Sequence, residues 1–323
     1  MSVAASLIYL TYRDEPAFEW FADSLARQLD QADDVELILV DGAHDHVRGK
    51  RWARAVAGRI PLRHVAAKPS PYNGAHRVTR REMFAAASAR NTGLVYARKP
   101  YVIFVDDACV LGERWWDAAS EAVAAGSVVT GAYRKDWGME VGDGVLLHSR
   151  DRSGVDSRWP LGDDRRAVRV GGGQLFGASI GAPRDLLLRL NGFDELCDSI
   201  GGEDWHLGIR LELAGVPIYY DRRMLSVESE ELHRRGMVLG RVDRTLPPPQ
   251  YMERLADFGV SRRFIQGAYD SSHMLLDIVY GTESAATQGN YYWLADLTAA
   301  TLGEITPRFP RRHWFDGQPL AEL

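Results

Sequence analysis

A chain of 323 residues, 46% hydrophobic and 26% charged, is long enough to bury a sizeable core and too apolar to be disordered. Its net charge of −5 argues against an electrostatic clamp on nucleic acid, so nucleic acid is not an expected partner. The only two cysteines, Cys109 and Cys197, have no metal spacing and make no disulfide framework, which suits a reducing cytosol and a cytoplasmic protein.

The apolar run Val3–Leu10 is too short for a signal-peptide core, and no stretch approaches the roughly 18 apolar residues needed for a transmembrane segment. "SVAASLIYLTY" predicts a first strand. "EPAFEWFADSLARQLD" then sets Phe18, Phe21, Leu25 and Leu29 on one helical face. "VELILVDG" (35–42) has the apolar run and Asp-Gly end of a buried parallel strand. A helix around Trp52 and Val56, the strand "LRHVA", a polar loop at 68–77 and a helix over roughly 80–98 follow. "PYVIFVDD" (100–107) is the next buried strand, then the helix "ERWWDAASEAVAA" and the strand "SVVTGAY".

From Arg134 to Arg169 periodicity is lost, and the segment is expected to be a functional lid or binding loop, or else disordered. Regular structure resumes with "GGGQLFGASIGAPRDLLLRLNGFDE", the stretch "GGEDWHLGIRLELAG" (201–215) and "VPIYYD". The three prolines of "TLPPPQYM" (245–252) mark a linker to a helical, aromatic-ended tail. Strands alternating with helices predict an α/β sandwich around a mostly parallel sheet, whose ligands sit at the carboxyl ends of the strands.

Polar residues stand at three of those ends: Thr11-Tyr12-Arg13, Asp41 and Asp106-Asp107. Hard divalent cations take oxygen ligands, often one or two carboxylates plus substrate phosphates, so Asp106-Asp107 is a candidate metal and diphosphate site. The bland reading is a solvated pair at a loop start. Glu203-Asp204 opens a helix, where carboxylates complement the macrodipole. Gly201 and Gly202 before the pair point to close backbone approach or unusual dihedrals, and a carboxylate fixed there is suited to general-base work. His206 points to another side of that helix. His233, in the polar "SEELHRRG", gains meaning only if the fold brings it near Asp107. "GGGQLFG" is no dinucleotide fingerprint, and neither a P-loop nor a G-x-S-x-G elbow is present.

Taken in order, "LTYRDEP", "LILVDG", "SARNTGL", "VIFVDDAC", "GASIGAPRDLLLRLNGFDE" and "GGEDWHLGIRL" resemble the GT-A glycosyltransferases over roughly 3–233. The likeness is to the inverting family two and to relatives with a "GGED" motif, such as β-galactosyltransferases, chondroitin polymerases and polypeptide N-acetylgalactosaminyltransferases. It implies a GT-A α/β/α sandwich over 1–244 and a helical extension over 245–323. It also implies a nucleotide-sugar donor, UDP-linked in most relatives, and a glycan, protein or small-molecule acceptor.

By the same resemblance, Thr11, Tyr12, Arg13 and Asp41 would hold base and ribose, with Arg90 near the base or diphosphate. Asp106 would contact the ribose, and Asp107 with His233 would bind Mn²⁺ or Mg²⁺. Asp204 would be the catalytic base, with Glu203 beside it. Gly201, Gly202, Trp205 and His206 would lie toward the acceptor or pack just behind the residues that touch it, His206 more often as packing than as catalyst. The chain departs from the pattern at Ala108, where many members carry a third acidic residue, and at His206, where relatives often carry another carboxylate. A sugar nucleotidylyltransferase would need a Gly-rich loop after the first strand, which "LTYRDEP" lacks. The remaining alternatives are a non-catalytic nucleotide- or carbohydrate-binding protein on this scaffold and a transferase acting on modified nucleic acid.

Overall fold

A computed structural model describes residues 3–67, 85–199, 202–235, 294–296, 298 and 300. In chain order the first half contains β1 (Ala4–Thr11), α1 (Phe18–Ala26), β2 (Asp34–Asp41), α2 (His46–Val56), β3 (Leu62–Ala66), α3 (Ala86–Tyr96), β4 (Tyr101–Val105), β5 (Cys109–Leu111) and α4 (Trp115–Ala125). Then come β6 (Val128–Trp137), β7 (Glu140–Gly142), β8 (Val145–His148), β9 (Asp151–Val155), β10 (Val168–Val170), β11 (Ser179–Pro183), α5 (Arg184–Arg189), α6 (Glu203–Leu213), β12 (Ile218–Ser229) and α7 (Glu230–Arg234).

The main sheet runs β10-β12-β6-β11-β4-β1-β2-β3, with β5 on β12 and β9 on β6. The strands β3, β2, β1 and β4 are parallel, and β11 enters antiparallel between β4 and β6. Strands β1 and β4 are buried on both faces, as continuous apolar runs in a parallel sheet require. One face carries α1, α2 and α4 over a core that includes Phe18, Phe21, Trp52 and Trp115. The other carries α3, α5 and α6 over Leu94, Phe104, Leu187, Phe193 and Leu207. Each fully buried aromatic of this kind contributes on the order of 2–3 kcal/mol.

Helix α1 follows from Phe18, Phe21 and Leu25, all 0% exposed at helical spacing. Helix α2 is capped by Asp45, whose carboxylate accepts the Arg48 N–H at 2.8 Å. Helix α3 stops at Tyr96, two residues short of the expected end, because Pro100 follows closely and Ala97 is extended; positions 80–84 lie outside the described residues.

The expected long loop at 134–169 is a correction. Strand β6 continues to Trp137, and β7, β8, β9 and β10 follow, each three to five residues long. These strands are short and partly exposed on both faces, so they leave no alternation in the sequence. The tail from 245 is described only at 294–296, 298 and 300. There Leu294 is buried in the α3/α5 side of the core, and its N–H donates to Asn191 Oδ1 at 2.7 Å.

Candidate active site

Strand β1 is flanked by β2 on one side and β4 on the other, so the chain crosses over in both directions from it. Ligands of open α/β sheets bind at such a switch point, beyond the carboxyl ends of the strands. A cleft of 260 Å³ opens there, with Arg13, Asp106, Asp107, Lys135, Asp204 and Glu228 among its lining residues. Tyr133 and Phe176 form its aromatic side, with ring centroids 6.4 Å apart. Phe176 rests on Arg158, a fully buried guanidinium 4.2 Å from the Phe176 ring and paired with Asp156 at 2.6 Å.

Asp107 is held on both oxygens. Thr11 Oγ1 donates to Oδ2 at 2.6 Å, and Arg13 Nε donates to Oδ1 at 3.0 Å. Arg13 in turn reaches α7, donating from Nη1 to the Leu232 carbonyl at 2.6 Å. The ends of β1 and β4 and the helix α7 are thus joined at one point.

A second knot lies beneath the cleft. Arg90, on α3 and 2% exposed, donates to Asp106 Oδ1 at 2.8 Å and to Glu203 Oε1. Burial works against the Arg90 charge, but Asp106, Glu203 and Asp204 outweigh it and raise its pKa. Burial, with the negative charges of Glu203 and Asp107, pushes Asp106 up to about 6 against the pull of Arg90. Its side chain keeps 36% of its surface open to the cleft, so water tempers that shift.

Asp204 sits in the first turn of α6. Its N-cap Gly202 has φ 83°, a left-handed geometry that glycine adopts without strain. Gly177 N–H donates to Asp204 Oδ2 at 2.6 Å, and Trp205 N–H donates to Oδ1 at 2.7 Å. Burial first, then the Glu203 charge, raise its pKa to about 6, against Arg90 and the two N–H groups. An oriented carboxylate with that pKa, at the edge of a cleft, is equipped to take a proton near neutral pH.

Two charged residues of this cleft escaped sequence reading. Lys135 on β6 and Glu228 on β12 are register partners, with Nζ 3.6 Å from Glu228 Oε2. Lys135 Nζ is also 3.4 Å from His233 Nε2. Burial pushes Glu228 up to about 8, with Asp106 and Asp107 adding to it and Lys135 opposing. Burial and the Lys135 and Arg13 charges lower the pKa of His233. The available signal was a glutamate inside an apolar strand, but β12 was expected to end near Asp221. The strand continues through an irregularity between Asp221 and Ser226, where Arg223 pairs with Asp221 at 2.7 Å and Glu121 at 2.6 Å.

No protein-family model matches the chain. No curated protein matches it either. Solved structures do. The chain aligns with TarS 1-349 of S. aureus at 14% identity and a TM-score of 0.49, covering 87% of this chain and 72% of that one. The same protein in complex with UDP-GlcNAc gives 15% identity, a TM-score of 0.49, and coverage of 87% and 73%. GalNAc-T7, solved with UDP, GalNAc and Mn²⁺, gives 13% identity and a TM-score of 0.53 over 86% of this chain, which spans 53% of that longer chain. The fold is GT-A.

Within the GT-A cleft, Arg13, Asp106, Asp107, Asp204 and His233 come together from four separate stretches of chain. Thr11 lies behind them on Asp107, and Tyr12 is buried at 1% exposure. Arg90, expected near the base or diphosphate, is instead buried under the acidic residues it links. Asp41, expected at the base and ribose, is 0% exposed and saturated: it accepts from Arg48 and the Ala43 N–H, with His64 Nε2 at 3.0 Å and Trp52 Nε1 at 3.4 Å. Burial would raise its pKa, but His64 and Arg48 prevail and bring it down to about 2.

His206, read either as an acceptor-side residue or as packing behind the site, faces the core at 1% exposure, 4.0 Å from Asp194, and burial lowers its pKa to about 4. It belongs to the packing of the core. Trp205 lies beside Gly173, and Gly201 falls outside the described residues. Ala108, the position of the missing third carboxylate, is 2% exposed with φ 59°, and its N–H is bonded to the Pro16 carbonyl at 2.9 Å. That position belongs to the packing of the loop and not to the cleft lining.

Proposed function

We propose that this protein is a glycosyltransferase that moves a sugar from a nucleoside-diphosphate donor to an acceptor hydroxyl. The observation that carries the reading is Asp204. It stands at the start of a rigid helix, its two oxygens are oriented by backbone N–H groups, and it lines the cleft beside Asp106 and Asp107. GalNAc-T7, which shares this fold, was solved with UDP and GalNAc, which favours a UDP-sugar.

In the proposed reaction Asp204 takes the acceptor proton as its oxygen attacks the anomeric carbon from the face opposite the leaving diphosphate. A single displacement inverts the configuration. Glu203, tied to Arg90, keeps negative charge beside Asp204 and so keeps its proton affinity near neutral. The cleft is smaller than the roughly 300–1,000 Å³ of sites that engulf a drug-sized ligand. It suits the reacting sugar and phosphates. Trp205, at the helix start beside Gly173, is assigned to the acceptor side on the resemblance alone. We assign the donor and base functions to 1–244 and treat 245–323 as a separate extension. The free, buried Cys109 and Cys197 suit a cytoplasmic setting.

The resemblance implies a divalent cation on Asp107 and His233, and the residues fit it poorly. Both Asp107 oxygens are engaged by Thr11 and the Arg13 guanidinium. An ammonium stands 3.4 Å from the His233 ring nitrogen. Among the described residues no three His, Cys, Asp or Glu side chains form a group that could hold an ion. No step of the reaction is therefore assigned to a metal.

The test is release of nucleoside diphosphate from a panel of nucleotide sugars. Wild-type turnover that disappears in Asp204→Asn, with donor binding retained, supports the reading. Donor binding without any turnover by the wild type would instead make this a nucleotide-binding protein on the same scaffold.

A further inference from the structure

We infer that Lys135, together with Arg13, neutralises the donor diphosphate directly, so that this cleft accepts a nucleoside diphosphate without a divalent ion. The inference rests on the donor-site reading above and deepens it.

Three side-chain cations surround the acidic end of the cleft, and two are committed to structure. Arg90 is buried between Asp106 and Glu203. Arg13 is fastened to Asp107 at 3.0 Å and to the Leu232 carbonyl at 2.6 Å, which fixes its charge at the cleft wall. Lys135 is different. Its separation from Glu228 is 3.6 Å, longer than the 2.8–3.0 Å of the Arg90–Asp106 and Arg13–Asp107 pairs, and its side chain is 24% exposed. An ammonium on a flexible four-carbon stem, with three rotatable donors, can leave such a loose contact and follow a phosphate oxygen.

Its location also matches the charge that needs compensation. Lys135 shares the cleft with Asp106, Asp107 and Asp204, which would repel an incoming diphosphate. A cation is required among them, and the chain supplies one as a side chain. The ammonium beside His233 Nε2 and a divalent cation on that same nitrogen would repel each other at close range. Glu228 is then a positioning residue, since as the register partner of Lys135 it keeps the ammonium directed along the strand end.

Binding is measured by calorimetry and thermal shift with UDP, UMP and uridine, and with GDP, dTDP and CMP as alternatives, each in EDTA and in Mn²⁺. The expected result is that the preferred diphosphate binds in EDTA within roughly threefold of its affinity in Mn²⁺. Lys135→Ala should lose about tenfold or more for the diphosphate while the affinity for the nucleoside is unchanged, and Lys135→Arg should recover most of it. Lys135→Gln, with an unshifted melting temperature without ligand, guards against a folding defect. Glu228→Ala should raise the donor KM more than it lowers kcat. Diphosphate binding that requires Mn²⁺, or that is indifferent to Lys135→Ala, overturns the inference and leaves the donor site standing. No binding of any nucleotide in either condition overturns the donor-site reading and the inference with it.

Discussion

Gly177 donates its backbone N–H to Asp204 Oδ2 at 2.6 Å, and a Cβ on Gly177 would lie 2.5 Å from Arg90 Nη2 and 3.2 Å from that same Asp204 oxygen. The proposed base and the buried guanidinium therefore close on a residue that has no side chain. Gly177→Ala must displace Arg90, Asp204 or the loop between them. The expected outcome is a loss of kcat of at least about tenfold, since misplacement of a reacting group by about 1 Å costs up to roughly a hundredfold. Steady-state kinetics beside a melting curve checks it: an unchanged kcat would show that the site tolerates the shift.

The pH dependence of turnover follows from Asp204. A base must be deprotonated, so kcat should rise with pH through the value of about 6 to which burial and Glu203 have raised this carboxyl. Asp106, pushed up to about 6 chiefly by burial, titrates in the same range, so the limb belongs to the group and not to one residue. Glu203→Gln removes a negative charge that holds the Asp204 pKa up and leaves Arg90 with one acidic partner fewer. Both effects favour the carboxylate. The acid limb should therefore move to lower pH, as a pH–rate profile of the variant would show; a move to higher pH would contradict the electrostatic account.

Glu228 should make the folded state weaker as pH rises. Burial raises its pKa from 4.5 to about 8, with Asp106 and Asp107 adding to the shift and Lys135 opposing it. The native state then holds a proton that the unfolded chain has released, so stability falls between about pH 4.5 and 8 and is flat beyond. Glu228→Gln has no proton to lose. Its melting temperature relative to wild type should climb across that window, by several degrees at roughly 2–4 °C per kcal/mol for a domain of this size. Parallel melting curves at pH 5, 6.5 and 8 decide it, and a constant difference would mean that Glu228 is ionised throughout.

Helix α3 takes its N-terminal cap from a distant residue. Ala87 and Ser88 donate their backbone N–H groups to Asp198 at 2.8 and 3.1 Å, and the residue before the helix, Ala85, has no side chain able to do so. Asp198→Ala should cost about 1–2 kcal/mol, as loss of an N-cap does. Asp198→Asn keeps one acceptor oxygen and should cost less. Chemical denaturation of the two variants measures the difference.

Much of the architecture was legible in the sequence. The runs ending at Thr11, Asp41 and Val105 are apolar enough to be buried on both faces, and Phe18, Phe21 and Leu25 repeat at helical spacing. Those patterns arise from interactions between near neighbours and from burial, both of which leave a period in the chain. The polar strand ends marked where the cleft opens, and Glu203-Asp204 at a helix start marked the carboxylate that now lines it. The short strands between 140 and 170 left no such period, because neither of their faces is uniformly covered.

Only the tertiary structure decided the partners. Arg90 and Glu203 are 113 residues apart, yet they meet in an ion pair, which turns an expected donor contact into a buried brace. Asp41 ends a strand as expected but spends its carboxylate on Arg48 and His64. Lys135 reads as surface charge until β6 and β12 lie side by side and set it against Glu228 and His233. Sequence spacing encodes which face of an element a residue occupies. Which charge stands across from it depends on strand order and register, and these are set by the packing of the whole sheet.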